Sequence, residues 1–270
     1  MDDHLKKEKN KDMIAKNKVL GTISPSLDTS VFHAATGGTD IIFDWTPLVI
    51  PRGACTITSI GGTIMGINGA AGNGNDFRLY FAKSIDEVAP SSFGTAHAAQ
   101  GVNQAAGFRR NILGALFVDM SAIDDADNLI AYNVFQTKLV NASSTSGEFR
   151  GAQITLEGEP NITRDGFQTI YVAMEAAGSA FDFGTDVDLN QVGNQAASTE
   201  PVQITVSGTD PRLVFQPGDI IGGSTGTVEM EVVSVDGATT MTVKNITAQI
   251  DHTEQLIIKN PITINFGLEY

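Results

Sequence analysis

Cysteine is almost missing from this 270-residue chain: Cys55 stands alone, which excludes an internal disulfide and a cysteine-based zinc site. It lies in an apolar, β-rich run, Ala54-Cys55-Thr56-Ile57, and reads as a small buried hydrophobe. Tryptophan occurs once and tyrosine four times, which gives little support to sugar processing or tight sugar binding. The four histidines, His4, His33, His97 and His252, fall in separate segments without ligand spacing, so no zinc or other metal is expected. No apolar run approaches the roughly 20 residues that span a bilayer. The first twenty residues lack the apolar stretch of a secretory signal. These absences predict a protein made in a cytosol, with no membrane partner. Without a secretory route, the glycosylation sequons at Asn141, Asn161 and Asn245 carry no meaning.

Lysine is also scarce, and its placement is uneven. Six of the ten lysines lie in residues 1–20, against Asp2, Asp3, Glu8 and Asp12. That segment is therefore net +2, while the whole chain is −14 and the remaining residues are −16. An acidic body repels phosphates and argues against nucleic acid as a partner. The basic start reads either as an arm, with Lys6, Lys7, Lys9 and Lys11 docking on a neighbouring subunit, or as a solvated terminus.

What the chain does have is apolar residues, 41% of the total, in a background of Gly, Ala, Thr, Ser and Asn. Short strands joined by small-residue turns suit that mixture. Strand-like runs occur at Val19–Ile23, Val31-Phe32, Ile41–Trp45, Cys55–Ile67, Phe77–Ala82, Ala115–Asp119, Leu129–Leu139, Gln153–Glu157 and Phe167–Met174. Phe77–Phe81 and Ile170–Met174 are dense enough to be central strands buried on both faces. The pattern predicts an all-β, jelly-roll-like β-sandwich over residues 21–190. Residues 88–113 interrupt it with an Ala/Gln-rich stretch, either a long loop with a short helix or an insertion that folds against a partner. Arg109-Arg110, which close that stretch, are either an interface contact to an acidic neighbour or solvated loop charges.

After Asn190–Pro201, which reads as a polar, small-residue linker, five short strands over residues 202–258 predict a small β-barrel. The second unit is expected to span residues 201–270. The alternating run Ile262–Leu268 either closes the barrel or returns to the sandwich. The hairpin over residues 228–244 offers a register: an Asp236-Gly237 type I′ turn pairs Val232 with Met241, Met230 with Val243, Glu229 with Lys244 and Glu231 with Thr242.

Nothing in the chain spells catalysis. Asp182-Phe183-Gly184 matches the kinase tripeptide without any of its companion motifs, and Gly69–Gly74 lacks the Lys-Ser/Thr of a phosphate loop. Asp182, Asp186 and Asp188, like Asp124, Asp125 and Asp127, are spaced for calcium but match no EF-hand, and solvated acidic turns are their ordinary reading. No cofactor is implied.

The run Phe215-Gln216-Pro217-Gly218-Asp219-Ile220-Ile221, followed by Glu231-Val232-Val233-Ser234-Val235-Asp236-Gly237 and Thr240-Met241-Thr242-Val243, resembles small β-barrel modules of tailed-bacteriophage structural proteins. The match covers about 50 residues, and Lys244-Asn245-Ile246 stands where such modules often carry Arg-Gly. The Ala/Gly/Asn/Thr-rich sandwich is similar in style to structural proteins of marine and cyanobacterial phages. The resemblance implies a non-enzymatic virion component, such as a head decoration, fibre-base or tail accessory protein. It further implies a homo-oligomer, commonly a trimer, docked on capsid or tail proteins and located in the virion after synthesis in the host cytoplasm. The alternative is a host-receptor or carbohydrate-binding module of a phage fibre.

Overall fold

The structure, a computed structural model, describes residues 17–27, 39–66, 74–99, 105–120, 128–129, 132–138, 154–178, 180–224 and 228–270. Lys6, Lys7, Lys9, Lys11, the Val31-Phe32 run and the Asp124–Asp127 cluster lie outside them. Among the described residues no helix is long and apolar enough to cross a membrane.

The protein is all-β, with two facing sheets and a closed barrel. The first sheet runs β1 (Lys18–Ile23), β17 (Ile262–Glu269), β3 (Cys55–Met65), β7 (Tyr132–Lys138) and β6 (Asn128–Leu129), with β8 (Thr155–Leu156) also on β3. The second runs β2 (Ile41–Pro51), β10 (Phe167–Ala176), β4 (Phe77–Lys83) and β5 (Ile112–Val118), with β9 (Glu159–Pro160) on β10. Successive strands β1 to β4 alternate between the sheets, which makes the sandwich jelly-roll-like.

Alternation explains the layering, because every second side chain of a strand faces the same way. In β17 Ile262, Ile264, Phe266 and Leu268 are all buried. They meet the inner face of β4, where Phe77, Leu79 and Phe81 are buried as well. Two edge-to-face ring pairs tie the sheets together: Phe81 to Phe266, and Phe77 to Phe135, both with centroids 5.8 Å apart. β4 and β10 are the inner strands of their sheet, as their dense apolar content predicts.

The barrel closes in the order β11 (Val187–Leu189), β12 (Val202–Gly208), β15 (Thr240–Lys244), β14 (Glu229–Gly237), β13 (Ile220–Gly223) and β16 (Gln255–Ile258). Its interior is aliphatic, with Val187, Ile204, Val206, Ile221, Val232, Val243 and Leu256 almost fully buried. Methionines Met230 and Met241 fill the remaining space.

Three expectations need correction. First, the unit boundaries differ from 21–190 and 201–270. The barrel begins upstream, at β11, and residues 18–20 of the expected arm 1–20 belong to β1. Of the two placements open to Ile262–Leu268, the return to the sandwich is the one found: β17 lies between β1 and β3, so the barrel is inserted into the sandwich. β17 alternates because one of its faces covers the sandwich core. Second, Asn190–Pro201 is no free linker. Gln195 and Ile250 exchange backbone hydrogen bonds of 3.0 and 2.9 Å, and Ser198 and Ile246 exchange bonds of 3.1 and 2.7 Å. Those bonds hold the segment against the barrel.

Third, the hairpin register is shifted. Glu231 stands opposite Lys244 and Val232 opposite Val243, with bulges between Val232 and Ser234 and between Val235 and Gly237. The turn is Ala238-Thr239, and Gly237 does not take positive φ. The Asp236 carboxylate favours the bulged form: it accepts hydrogen bonds from the hydroxyls of Ser234 (2.6 Å) and Thr242 (2.8 Å). Lys244 Nζ accordingly pairs with Glu231, at 2.9 Å, rather than with Glu229.

Candidate interaction surface

The outward face of the second sheet would present Ile41, Trp45, Tyr80 and Ala173 to water if nothing covered it. The chain between β4 and β5 covers it. Phe93 and Phe108, the latter from a single helical turn α1 (Ala105–Phe108), are buried against those four residues. Rings stack edge-on or tilted: Trp45 lies 5.0 Å from Phe93 and 5.4 Å from Phe108, and Tyr80 lies 4.9 Å from Phe93. Such pairs add about 0.5–1.5 kcal/mol each beyond buried area. The described parts of the Ala/Gln-rich stretch therefore fold on their own sheet, and its short helix is present.

Hydrogen bonds fix this cover. One carboxylate oxygen of Asp44 accepts the Phe93 N–H at 2.6 Å, and the other accepts the Ser92 hydroxyl at 2.6 Å. The Trp45 indole N–H donates to the Ser91 carbonyl at 2.9 Å. Gly107 allows α1 to approach closely, since a Cβ there would stand 2.3 Å from Ser91 Oγ. Beside Tyr80, the Glu175 carboxylate is nearly buried. It accepts the Tyr80 hydroxyl at 2.8 Å and lies 3.6 Å from Arg78. Burial, and then the bond to Glu175, push the Tyr80 phenol up to about 12.

Where the cover returns to β5, a concavity of about 540 Å³ opens, lined by Ile85, Val88, Ala89, Arg109, Arg110 and Asn111 among others. Both arginines are exposed, and Val88 is 67% exposed. Asn111 fixes the rim, donating through Nδ2 to the Lys83 carbonyl at 2.8 Å. On the other rim Asp86 and Glu87 form a tight turn between Ile85 and Val88, which exchange backbone bonds. Both take positive φ, 53° and 63°, a conformation costly for residues other than glycine. The Glu159 carboxylate supports this turn by accepting the Glu87 N–H at 2.8 Å. Hydrogen bonds from Ser84 and Glu87 hold the Glu159 carboxyl below its usual range. The result is a hollow with Ile85, Val88 and Ala89 on one side and Arg109 and Arg110 on another. It can receive a partner's protruding apolar and acidic groups.

The other acidic residues have structural partners. The Asp182 carboxylate accepts the Gly184 N–H at 2.9 Å. Asp186, in the left-handed region, accepts from Gln255. Burial and then the neighbouring Asp186 push the Asp188 carboxyl up. Among the described residues no group of three or more His, Cys, Asp or Glu side chains is placed to hold a metal ion. Cys55 is fully buried, with its thiol 3.4 Å from the Pro51 carbonyl, and burial pushes it up.

The resembling Gly-Asp motif also has a structural role. The Asp219 carboxylate, almost buried, accepts the Gln216 N–H at 2.9 Å. The Gly218 and Val232 N–H groups donate to the Val232 and Asp219 carbonyls. The motif thus clamps the start of β13 onto β14. Burial pushes the Asp219 carboxyl up, and the Gln216 N–H pulls the other way.

Sequence reasoning singled out Arg109 and Arg110, and they share one hollow. It missed Asp44, Trp45 and Phe93. Their signal was present: two isolated phenylalanines in an otherwise small-residue loop need an apolar surface to land on. No protein-family model, no curated protein and no solved structure matches the chain.

Proposed function

We propose that this protein is a non-enzymatic structural component of a tailed-phage virion, working by self-association and by docking on capsid or tail. What carries the reading is the barrel built from the Gly-Asp and Val-Asp-Gly segments, inserted through adjacent strands into a rigid sandwich. Asp219 and Asp236 each serve that barrel by hydrogen-bonding a turn or bulge. Their chemistry suits a scaffold element, and the apolar and basic hollow beside Arg109 and Arg110 suits a partner contact.

In this reading the sandwich is the body, the barrel is a projecting module, and the lysine-bearing residues 1–20 grip an acidic neighbour. An antibody against the purified chain, applied to intact particles of the encoding phage, tests it. A defined location on head or tail is expected, as is loss of incorporation when residues 1–16, upstream of β1, are deleted or when Arg109→Glu and Arg110→Glu are combined. Particles that lack the chain would overturn the proposal.

A further inference from the structure

Open sheets have edges, and unguarded edges recruit strands. The second sheet guards both of its own. β2 carries Pro47 and Pro51 and two irregularities in its pairing with β10. β5 is bulged between Gly114 and Ile112. On the first sheet, the far side ends in the two-residue β6. β1 has none of these devices: it is six residues long, lacks proline, and pairs with β17 without a register shift.

Among the described residues no strand pairs with the outer edge of β1, and the groups that lie there can be named. Asn17 and Tyr270 exchange both backbone bonds, at 3.2 and 3.1 Å. In an antiparallel ladder such pairs recur every second residue. Residues 19, 21 and 23 therefore turn their N–H and C=O groups towards β17, and Lys18, Leu20 and Thr22 turn theirs outward. The same three side chains are exposed, while Gly21 and Ile23 are buried. Leu20, in the middle of the strand, is 65% exposed.

We infer that β1 pairs antiparallel with β1 of a second copy, about a twofold axis through Leu20. The inference deepens the self-association proposed above and rests on that part of it. The strand complements itself in this register. Leu20 faces Leu20 of the second copy as a hydrogen-bonded pair, and Lys18 faces Thr22 on either side, giving roughly six main-chain bonds. Like charges are kept apart, since each Lys18 meets a threonine and has Glu269 as its neighbour on β17. The two chain starts at Asn17 fall at opposite ends of the ribbon. The contact is twofold, in contrast to the trimer that the phage resemblance implies.

Light scattering after size-exclusion chromatography of the full chain, over a concentration series, tests this. The expected mass rises from one copy of 28.5 kDa to two. Leu20→Lys places two ammonium groups side by side at the axis. It is expected to leave one copy at concentrations where the parent is fully paired, with an unchanged circular dichroism spectrum. Independently, Leu20→Cys is expected to cross-link to a dimer with a short bis-maleimide, and Thr63→Cys, two strands inward on β3, is not. The parent gives no cross-link, because Cys55 is buried. A parent that stays single or forms threes overturns the inference, as does a dimer that survives Leu20→Lys or fails to cross-link at position 20. Antibody location on particles reads the virion proposal separately, so either can fail alone.

Discussion

The sandwich and the barrel solve the same problem, burying one face of each strand, in opposite ways. The barrel closes on itself, so every strand has two neighbours and no edge is left. Its interior is narrow, and branched aliphatics with two methionines fill it. The sandwich stays open and spans a wider gap, bridged by phenylalanine pairs. It also covers one outer face with its own chain and leaves an edge at β1. Closure leaves the barrel no strand edge, whereas openness leaves surfaces for neighbours. Docking features should accordingly belong to the sandwich, and the hollow at Arg109 and the strand β1 both do.

The largest expected effect is in the sandwich core. Phe81→Ala removes a ring that touches Phe266 across the sheets, and is expected to cost about 3–5 kcal/mol in denaturant unfolding. Met241→Ala in the barrel removes a fully buried but unbranched chain smaller than a phenyl ring, and is expected at the lower end of about 2–5 kcal/mol. Equal losses would erase the contrast in how the two interiors are filled.

Next is the cover. Asp44→Ala leaves the Phe93 N–H and the Ser92 hydroxyl without their acceptor, at about 1–3 kcal/mol. Trp45 is the only tryptophan in the chain, so its fluorescence should shift to the red as water reaches it. An unchanged emission spectrum would mean that Asp44 does not hold the cover.

A smaller effect tests the barrel's bulged hairpin. A double-mutant cycle on Glu231 and Lys244 is expected to give about 0.2–1 kcal/mol of coupling, against none for Glu229 and Lys244. The reverse result would restore the unbulged register.

The last effect is confined to alkali and absent at neutrality. The Tyr80 phenol titrates at about 12 in the folded chain, and near 10 when unfolded. Between those values the folded state holds the proton that the unfolded state has lost, so stability falls as pH rises. Below pH 10 the group contributes no pH dependence. Tyr80→Phe is expected to flatten unfolding profiles between pH 10 and 12 without altering the pH dependence at neutrality.

Much of this architecture was legible because period-two burial is written directly into strands. Ile262–Leu268 shows the alternation plainly, whereas Phe77–Phe81, expected to be buried on both faces, buries Phe77, Leu79 and Phe81 on one and leaves Arg78 exposed and Tyr80 half-buried on the other. What could not be read was where a strand goes. β17 alternates equally well in a barrel or a sandwich, because alternation reports a covered face and not what covers it. The hairpin failed for a related reason. In the observed pairing of Val232 with Val243, the register moves by two residues. An even shift leaves the same side chains inside, so hydrophobicity cannot tell the two registers apart. The deciding group is Asp236, whose carboxylate binds Ser234 and Thr242 only once the fold has brought them together. β11 is only three residues long, too short to show a period. At the candidate surface Arg109 and Arg110 stood out as a pair, while the hollow they share also has Ile85 and Val88, flanking a turn in which Glu87 takes a positive φ unusual for glutamate.

The strands that lead into and out of the barrel, β11 and β16, lie side by side, with Val187 directly opposite Leu256. Two chain ends that close, roughly 5 Å apart in an antiparallel pair, can be joined by a tight turn. The sandwich therefore offers a natural cassette position: the barrel could be cut out and a foreign domain with adjoining termini spliced in, while β10 and β17 keep their places.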